Sequence, residues 1–353
     1  MNKALFILRH SDAPSKNYTA SAENGVSLST YLIVNALREN HVKCSIAAVA
    51  APDEISHVVD IHNPKIVVIE TLWVDPKYFT DLVTQYPDIT WIVREHSDSS
   101  FRVYEENAFA WILEYMKLGV EVMCNSIKSV SDVIGMAEAA GINSDLVSYG
   151  PNIYPAPRKE SLKVDRRQGN TVNIGCFGAV RPMKNHITQA LAAAIFSNAC
   201  DVHVNFHING YDIPGYVDPI LNNLRNMFAQ FPKCTLIEHG WMSHSDFLGV
   251  LDNIDICSQV SFTETFNIVA ADAMSRGVPL VTSSEVPWIG NYAHRDTTSA
   301  EDIADGFFKI WEEPHHDHVE RIYAQRADME TYSERAVEIW LARLSPYMFT
   351  SPL

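Results

Sequence analysis

The chain has 353 residues, 47% of them hydrophobic and 20% charged, which suits two globular domains and excludes a disordered or fibrous protein. The formal net charge of −16 disfavours broad affinity for a phosphate backbone, so nucleic acid is a compatible but unfavoured partner. Six scattered cysteines form no CxxC pair and no metal-ligand spacing, so a reduced, cytoplasmic protein is expected.

The opening MNKALFILRHSD contains an apolar run too short for a secretion signal, and it reads as a first strand. No later stretch is apolar for long enough to span a bilayer. Strands are expected at 4–9, 44–50, 65–71, 90–96, 121–125 and 146–150, with helical patterns at 28–40, 76–86 and 129–141. The segment 151–170, PNIYPAPRKESLKVDRRQGN, breaks that rhythm with proline and charge. The βα alternation resumes at TVNIGCFGAV (171–180). Helical patterns follow at 186–197, 219–231 and 246–254, and strands at 203–210, 234–240 and 255–260. A closing helix is expected over 333–349, with Val337, Ile339, Trp340 and Leu344 on its apolar face. Alternation of this kind predicts parallel sheets covered by helices on both faces. The expected domains are 1–154, a linker at 155–170, 171–330, and a C-terminal helix at 331–353 that packs back on the first domain. In such sheets, ligands bind outside the carboxyl ends of the strands, so a cleft between the domains is expected.

The most informative stretch is SFTETFNIVAADAMSRGVPLVTS, residues 261–283. Glu264 stands before an apolar helix that contains Asp272 and ends at Gly277. A carboxylate accepts well from vicinal hydroxyls, as on a sugar or a ribose. On spacing alone the alternative is equally open: Glu264 caps the helix and Asp272 is solvated. A second element, CFGAVRPMKNHITQA (176–190), pairs a glycine turn at Gly178 with Arg181 and Lys184 at a helix start, where an anion could be held.

The first stretch resembles the E-x7-E signature of retaining GT-B glycosyltransferases, most closely the GT4 family, around Phe266, Ala273, Met274, Gly277 and Pro279. The resemblance implies two Rossmann-like domains and metal-independent transfer of a sugar from a nucleotide-diphosphate sugar, with the donor a substrate and no cofactor. It assigns Glu264 to the transferred sugar and Asp272 to the ribose, with Phe266, Asn267 and Ile268 beside them on the donor. The 176–190 element is similar to the family's phosphate-binding G-R-L-x-P-x-K-G, which makes Lys184 a phosphate ligand and Arg181 its companion near Gly178. Asn209 and Gly210 in FHINGYD, and Trp241 and Met242 in LIEHGWMSHSDF, match the loops that line the nucleobase pocket. His96 matches a histidine facing the donor sugar, and the resemblance puts Gly25 and Asp98 on the acceptor side.

Departures from the pattern are Asp rather than Glu at 272, Asn for Gly at 185 and 267, and Ala179 where Arg is frequent. Asp272 and Ala179 favour the rival reading of a catalytically degenerate scaffold subunit. A nucleotide-binding module or epimerase is a second rival. The absence of GxGxxG after the first strand counts against an NAD enzyme, and the absence of D-x-D counts against the metal-dependent transferase fold. The histidine-rich EEPHHDHVE (312–320) reads as a solvated polar loop rather than a metal site. The acceptor, the sugar and the oligomeric state are left open.

Overall fold

The computed structural model describes residues 4–9, 25–164, 169–210, 217–240 and 242–345. The chain divides into two compact units: Met1–Tyr154 with Tyr332–Leu353, and Pro155–Thr331.

The first unit is built on a six-stranded parallel sheet. Its strands are β1 (Ala4–Arg9), β2 (Cys44–Val49), β3 (Ile66–Glu70), β4 (Thr90–Glu95), β5 (Glu121–Cys124) and β6 (Val147–Tyr149), in the order β2-β1-β3-β4-β5-β6. The central strand IVVIE is buried along its whole length, as expected for a parallel strand covered on both faces. The helices are α1 (Gly25–Glu39), α2 (Ile55–His62), α3 (Pro76–Gln85), α4 (Ala108–Lys117) and α5 (Ile127–Ala139). Local chemistry sets their starts. Asp75 caps α3 by accepting from Lys77 N at 3.0 Å, with Pro76 at the first helical position, and Ser126 caps α5 through Ser129 N at 3.1 Å. Sequence periodicity did not mark α2 and α4, two short helices whose buried faces pack against the strands of one core cluster.

The second unit has a five-stranded parallel sheet of β7 (Thr171–Gly175), β8 (His203–Asn209), β9 (Cys234–His239), β10 (Ile256–Gln259) and β11 (Leu280–Thr282), ordered β11-β10-β7-β8-β9. Its helices are α6 (His186–Cys200), α7 (Val217–Phe228), α8 (His244–Leu251), α9 (Ile268–Ser275) and α10 (Ala300–Glu312). The strand expected over 171–180 ends at Gly175, because the chain there turns toward Gly178, whose φ of +109° suits glycine.

One helix, α11 (His315–Leu344), runs for 30 residues through both segments of sequence. Residues 315–320 of the histidine-rich stretch therefore belong to its first turns and not to a loop, a correction to the sequence reading, while all but His318 and the half-buried Val319 are exposed as expected. The helix continues because nothing in 315–344 breaks it, and polar positions there alternate with buried His318, Ile322, Gln325, Met329, Ala336 and Trp340. Within the first unit, Trp340 is fully buried, donates from Nε1 to Pro151 O at 2.8 Å and lies tilted on Phe6 at 5.8 Å. The helix buries Ala336, Trp340 and Leu344, four residues apart, while Val337 packs half-buried beside them.

Candidate functional site

In the second unit, three elements converge beyond the carboxyl ends of the strands. Lys184 closes a tight 3₁₀ turn at Pro182–Lys184, and its Nζ lies 2.6 Å from Glu264 Oε1, an ion pair whose side chains are 24% and 7% exposed. Asn267 Nδ2 donates to the same Oε1 at 2.9 Å and approaches Gln259 Oε1 at 3.0 Å. Its Oδ1 caps α9 by accepting from Ala270 N at 2.9 Å. Asn267, not Glu264, therefore caps the helix, which leaves the acid beside Lys184.

Two of the departures from the resembled pattern have a backbone explanation. Asn267 has φ 67° and Asn185 has φ 58°, both left-handed, a region that glycine and asparagine tolerate best. Asn185 uses its side chain as well, donating to Val260 O at 3.0 Å and Thr297 O at 2.7 Å. Asparagine there keeps the turn and ties it to the residue after β10 and to Thr297. At Gly277, two constraints coincide: φ is +73°, and a Cβ would stand 2.5 Å from Lys163 O.

Asp272 is not solvated. Its side chain is 3% exposed, and Oδ1 meets His244 Nε2 at 2.8 Å. His244 is the first residue of α8, whose cap Ser243 accepts from Asp246 N at 3.2 Å. The hydrogen bond to Asp272 raises the His244 pKa above its ordinary value, against partial burial. The sequence reading passed over His244, although the cap pattern S-x-x-D before it was a usable signal for the helix start.

The remaining residues that the resemblance assigns to the donor fall in different surroundings. Gly178 N donates to Asn209 Oδ1 at 2.7 Å, tying the glycine turn to the end of β8. Gly210 follows directly and bonds His239 O through its amide at 2.8 Å. Phe266 points into the core: it is 1% exposed, lies against Trp288 at 6.3 Å, and its carbonyl accepts from Trp288 Nε1 at 2.8 Å. Ile268 opens α9, half-buried, and Met242 is half-buried in the loop before α8. Arg181 leads into the 3₁₀ turn in extended conformation, with φ −144°. Trp241 lies outside the described residues. His186, at the start of α6, is buried beside Lys184; burial and then that charge push its pKa down to about 3, so it stays neutral.

The first unit carries a separate polar network at the ends of β3 and β4. His96 Nε2 lies 2.5 Å from Glu70 Oε2, and Arg94 Nη1 meets the same oxygen at 3.1 Å. Arg94 also donates to Gly150 O at 3.1 Å and to Asn152 Oδ1, which takes Ser29 Oγ at 2.8 Å. Burial works to raise the Glu70 pKa, but Arg94 and His96 outweigh it and hold the carboxyl below its usual range. Burial and then the Arg94 charge lower His96 against the pull of Glu70. An anionic Glu70 and a neutral His96 follow, with the proton on Nε2 donated to Glu70. Glu70, Arg94 and Asn152 were not singled out in the sequence, although an arginine among the apolar residues of a buried strand needs a buried partner. Asp98 is 1% exposed and caps a turn, Oδ1 accepting from Phe101 N at 3.1 Å, with Lys128 Nζ 3.6 Å from Oδ2. Gly25 begins α1 and is exposed.

The chain superposes over almost its full length on sugar-transferring proteins. Trehalose 6-phosphate synthase from Burkholderia multivorans matches with a TM-score of 0.69 at 9% identity, covering 98% of each chain. The fold is GT-B. Sucrose-phosphate synthase from Thermosynechococcus elongatus matches at 0.67 and 13% identity, covering 99% of each chain. HepE of Anabaena, solved with UDP and glucose, matches at 0.66 and 13%, covering 99% of this chain and 100% of its own. At such identity the likeness establishes the GT-B fold. No protein-family model matches the sequence, and no curated protein matches it.

Proposed function

We propose that this protein is a GT-B glycosyltransferase that moves a sugar from a nucleotide-diphosphate sugar to an acceptor hydroxyl, retaining the anomeric configuration. The observation that carries the reading is the 2.6 Å pair of Lys184 and Glu264. A phosphate-binding cation and a sugar-binding acid so close together suit two adjoining parts of one molecule, the diphosphate and the sugar it carries. Asp272 lies on the helix that follows Glu264, where the resemblance puts the ribose end of the same donor.

In this mechanism the bond from the anomeric carbon to the diphosphate oxygen breaks, and its electron pair leaves with the phosphate. Lys184, Arg181 and the N-terminus of α6 stabilise that charge, a task for pre-aimed donors and cations rather than for a metal. Released from Lys184 by the incoming phosphate, Glu264 orients the sugar through its hydroxyls. The acceptor oxygen bonds to the anomeric carbon, and its proton passes to the departing phosphate oxygen, so no protein nucleophile is needed. The first unit is assigned to the acceptor, where Glu70 holds His96 as a polar group. Retention and metal independence rest on the resemblance of the 261–283 and 176–190 elements, and a cytoplasmic location on the unpaired cysteines. No helix of the described residues is long and apolar enough to cross a membrane.

The test is calorimetric titration with UDP, GDP, ADP, CDP and dTDP. One diphosphate is expected to bind, and Lys184→Ala to weaken it by about tenfold or more, the scale of a lost charge-assisted hydrogen bond. Binding of none of the five would move the reading to a scaffold subunit.

A further inference from the structure

Asp272 is one methylene shorter than the acid of the resembled pattern, and it is deeply set. Its side chain is 3% exposed, and one carboxylate oxygen is already taken by His244 Nε2 at 2.8 Å. The ring of His244 is 28% exposed, so it lies nearer the surface than the acid that holds it. Its other nitrogen, Nδ1, makes no hydrogen bond to a described residue. The helix α8 that carries His244 starts directly beyond the loop from β9, on the carboxyl side of the sheet.

We infer that His244 is the residue that reads the ribose of the nucleotide donor, with Asp272 as its positioning residue. This rests on the nucleotide-site reading above. The imidazole extends the reach of the aspartate by one ring: Nε2 is fixed by Asp272 Oδ1, and Nδ1 meets a ribose hydroxyl. A hydroxyl both donates and accepts, so it pairs with Nδ1 whether the ring is neutral or protonated. The missing methylene at position 272 is thereby supplied from a second helix. Asp272 acts through His244, much as a carboxylate behind a metal-bound histidine fixes its ring.

The experiment compares the ribonucleoside diphosphate that the wild type binds with its 2′,3′-dideoxy counterpart, by calorimetry. The wild type is expected to prefer the ribonucleotide by about tenfold, one hydrogen bond's worth of discrimination. His244→Ala should reduce that ratio to about one, chiefly by weakening the ribonucleotide, and Asp272→Asn, with its looser hold on the ring, should fall in between. Asp272→Glu placed in the His244→Ala background should recover part of the preference, because the longer acid reaches the hydroxyls itself. A His244→Ala protein that keeps the full preference overturns the inference, as does a wild type that binds both nucleotides equally; either result leaves the nucleotide site standing. A wild type that binds no diphosphate removes that site, and His244 with it.

Discussion

Asn267 shows how one side chain can serve fold and site together. Its left-handed backbone, its cap on Ala270 N and its bond to Glu264 occur at a single position. Replacing it by alanine forces a β-carbon into the left-handed region and removes the cap, for an expected loss of about 2–3 kcal/mol. Glycine restores the backbone, so Asn267→Gly should cost less, about 1 kcal/mol. Urea midpoints should therefore rank wild type above glycine and glycine above alanine. An alanine variant as stable as the glycine one would show that the left-handed turn is not under strain. The two acids of the 261–283 stretch were legible in the sequence; their pairing with Lys184 and His244 was not. Lys184 is 80 residues from Glu264, and His244 is 28 from Asp272.

The end of β4 concentrates charge in a way its strand pattern hides. Arg94, Glu95 and His96 follow one another, and alternation sends Arg94 and Glu95 to opposite faces of the sheet. Arg94 finds Glu70 and Asn152, while Glu95 lies among Tyr115, Cys124 and Arg102, accepting from Ser97 N at 2.6 Å. Burial pushes the Glu95 carboxyl from 4.5 up to about 7, with Arg102 opposing and Glu105 adding to the rise. Between those values the native state keeps a proton that the unfolded chain releases. The stability Glu95 contributes is therefore whole below pH 4.5 and is lost as pH rises through 7, by at most about 3 kcal/mol. Denaturant midpoints at pH 5 and pH 8 should differ less in Glu95→Gln than in the wild type. An unchanged difference would mean that Glu95 is ionised throughout.

At the scale of the whole molecule, the chain returns to its first unit after completing its second. The last turns of α11 belong with residues 1–154, and their contacts are specific: Trp340 on Phe6 at 5.8 Å, Ser333 Oγ donating to Tyr154 O at 2.6 Å, and Arg343 on Glu121. Trp340 also takes Arg94 over its ring at 5.5 Å, which joins the helix to the His96 network. Trp340→Ala is expected to cost the first unit about 3–5 kcal/mol. Hydrogen exchange should then show faster opening in β1, β3 and β4 with the second unit's strands unchanged. Equal loss in both units would mean that they unfold as one.

The sequence by itself determined the α/β class, the parallel sheets, the stretch that carries Glu264 and Asp272, and the glycine turn before Lys184. These follow from short-range patterns: apolar periodicity, turn chemistry and residue spacing within about two dozen positions. It misjudged the backbone of the 312–320 stretch, because a polar first turn of a long helix and a polar loop have the same composition. Only the tertiary structure decided that Lys184 neutralises Glu264, that His244 covers Asp272, and that Glu70 and Arg94 stand behind His96. Each of those pairs joins separate strands, helices or turns, and burial makes the pairing obligatory only once the sheets have brought the charges together.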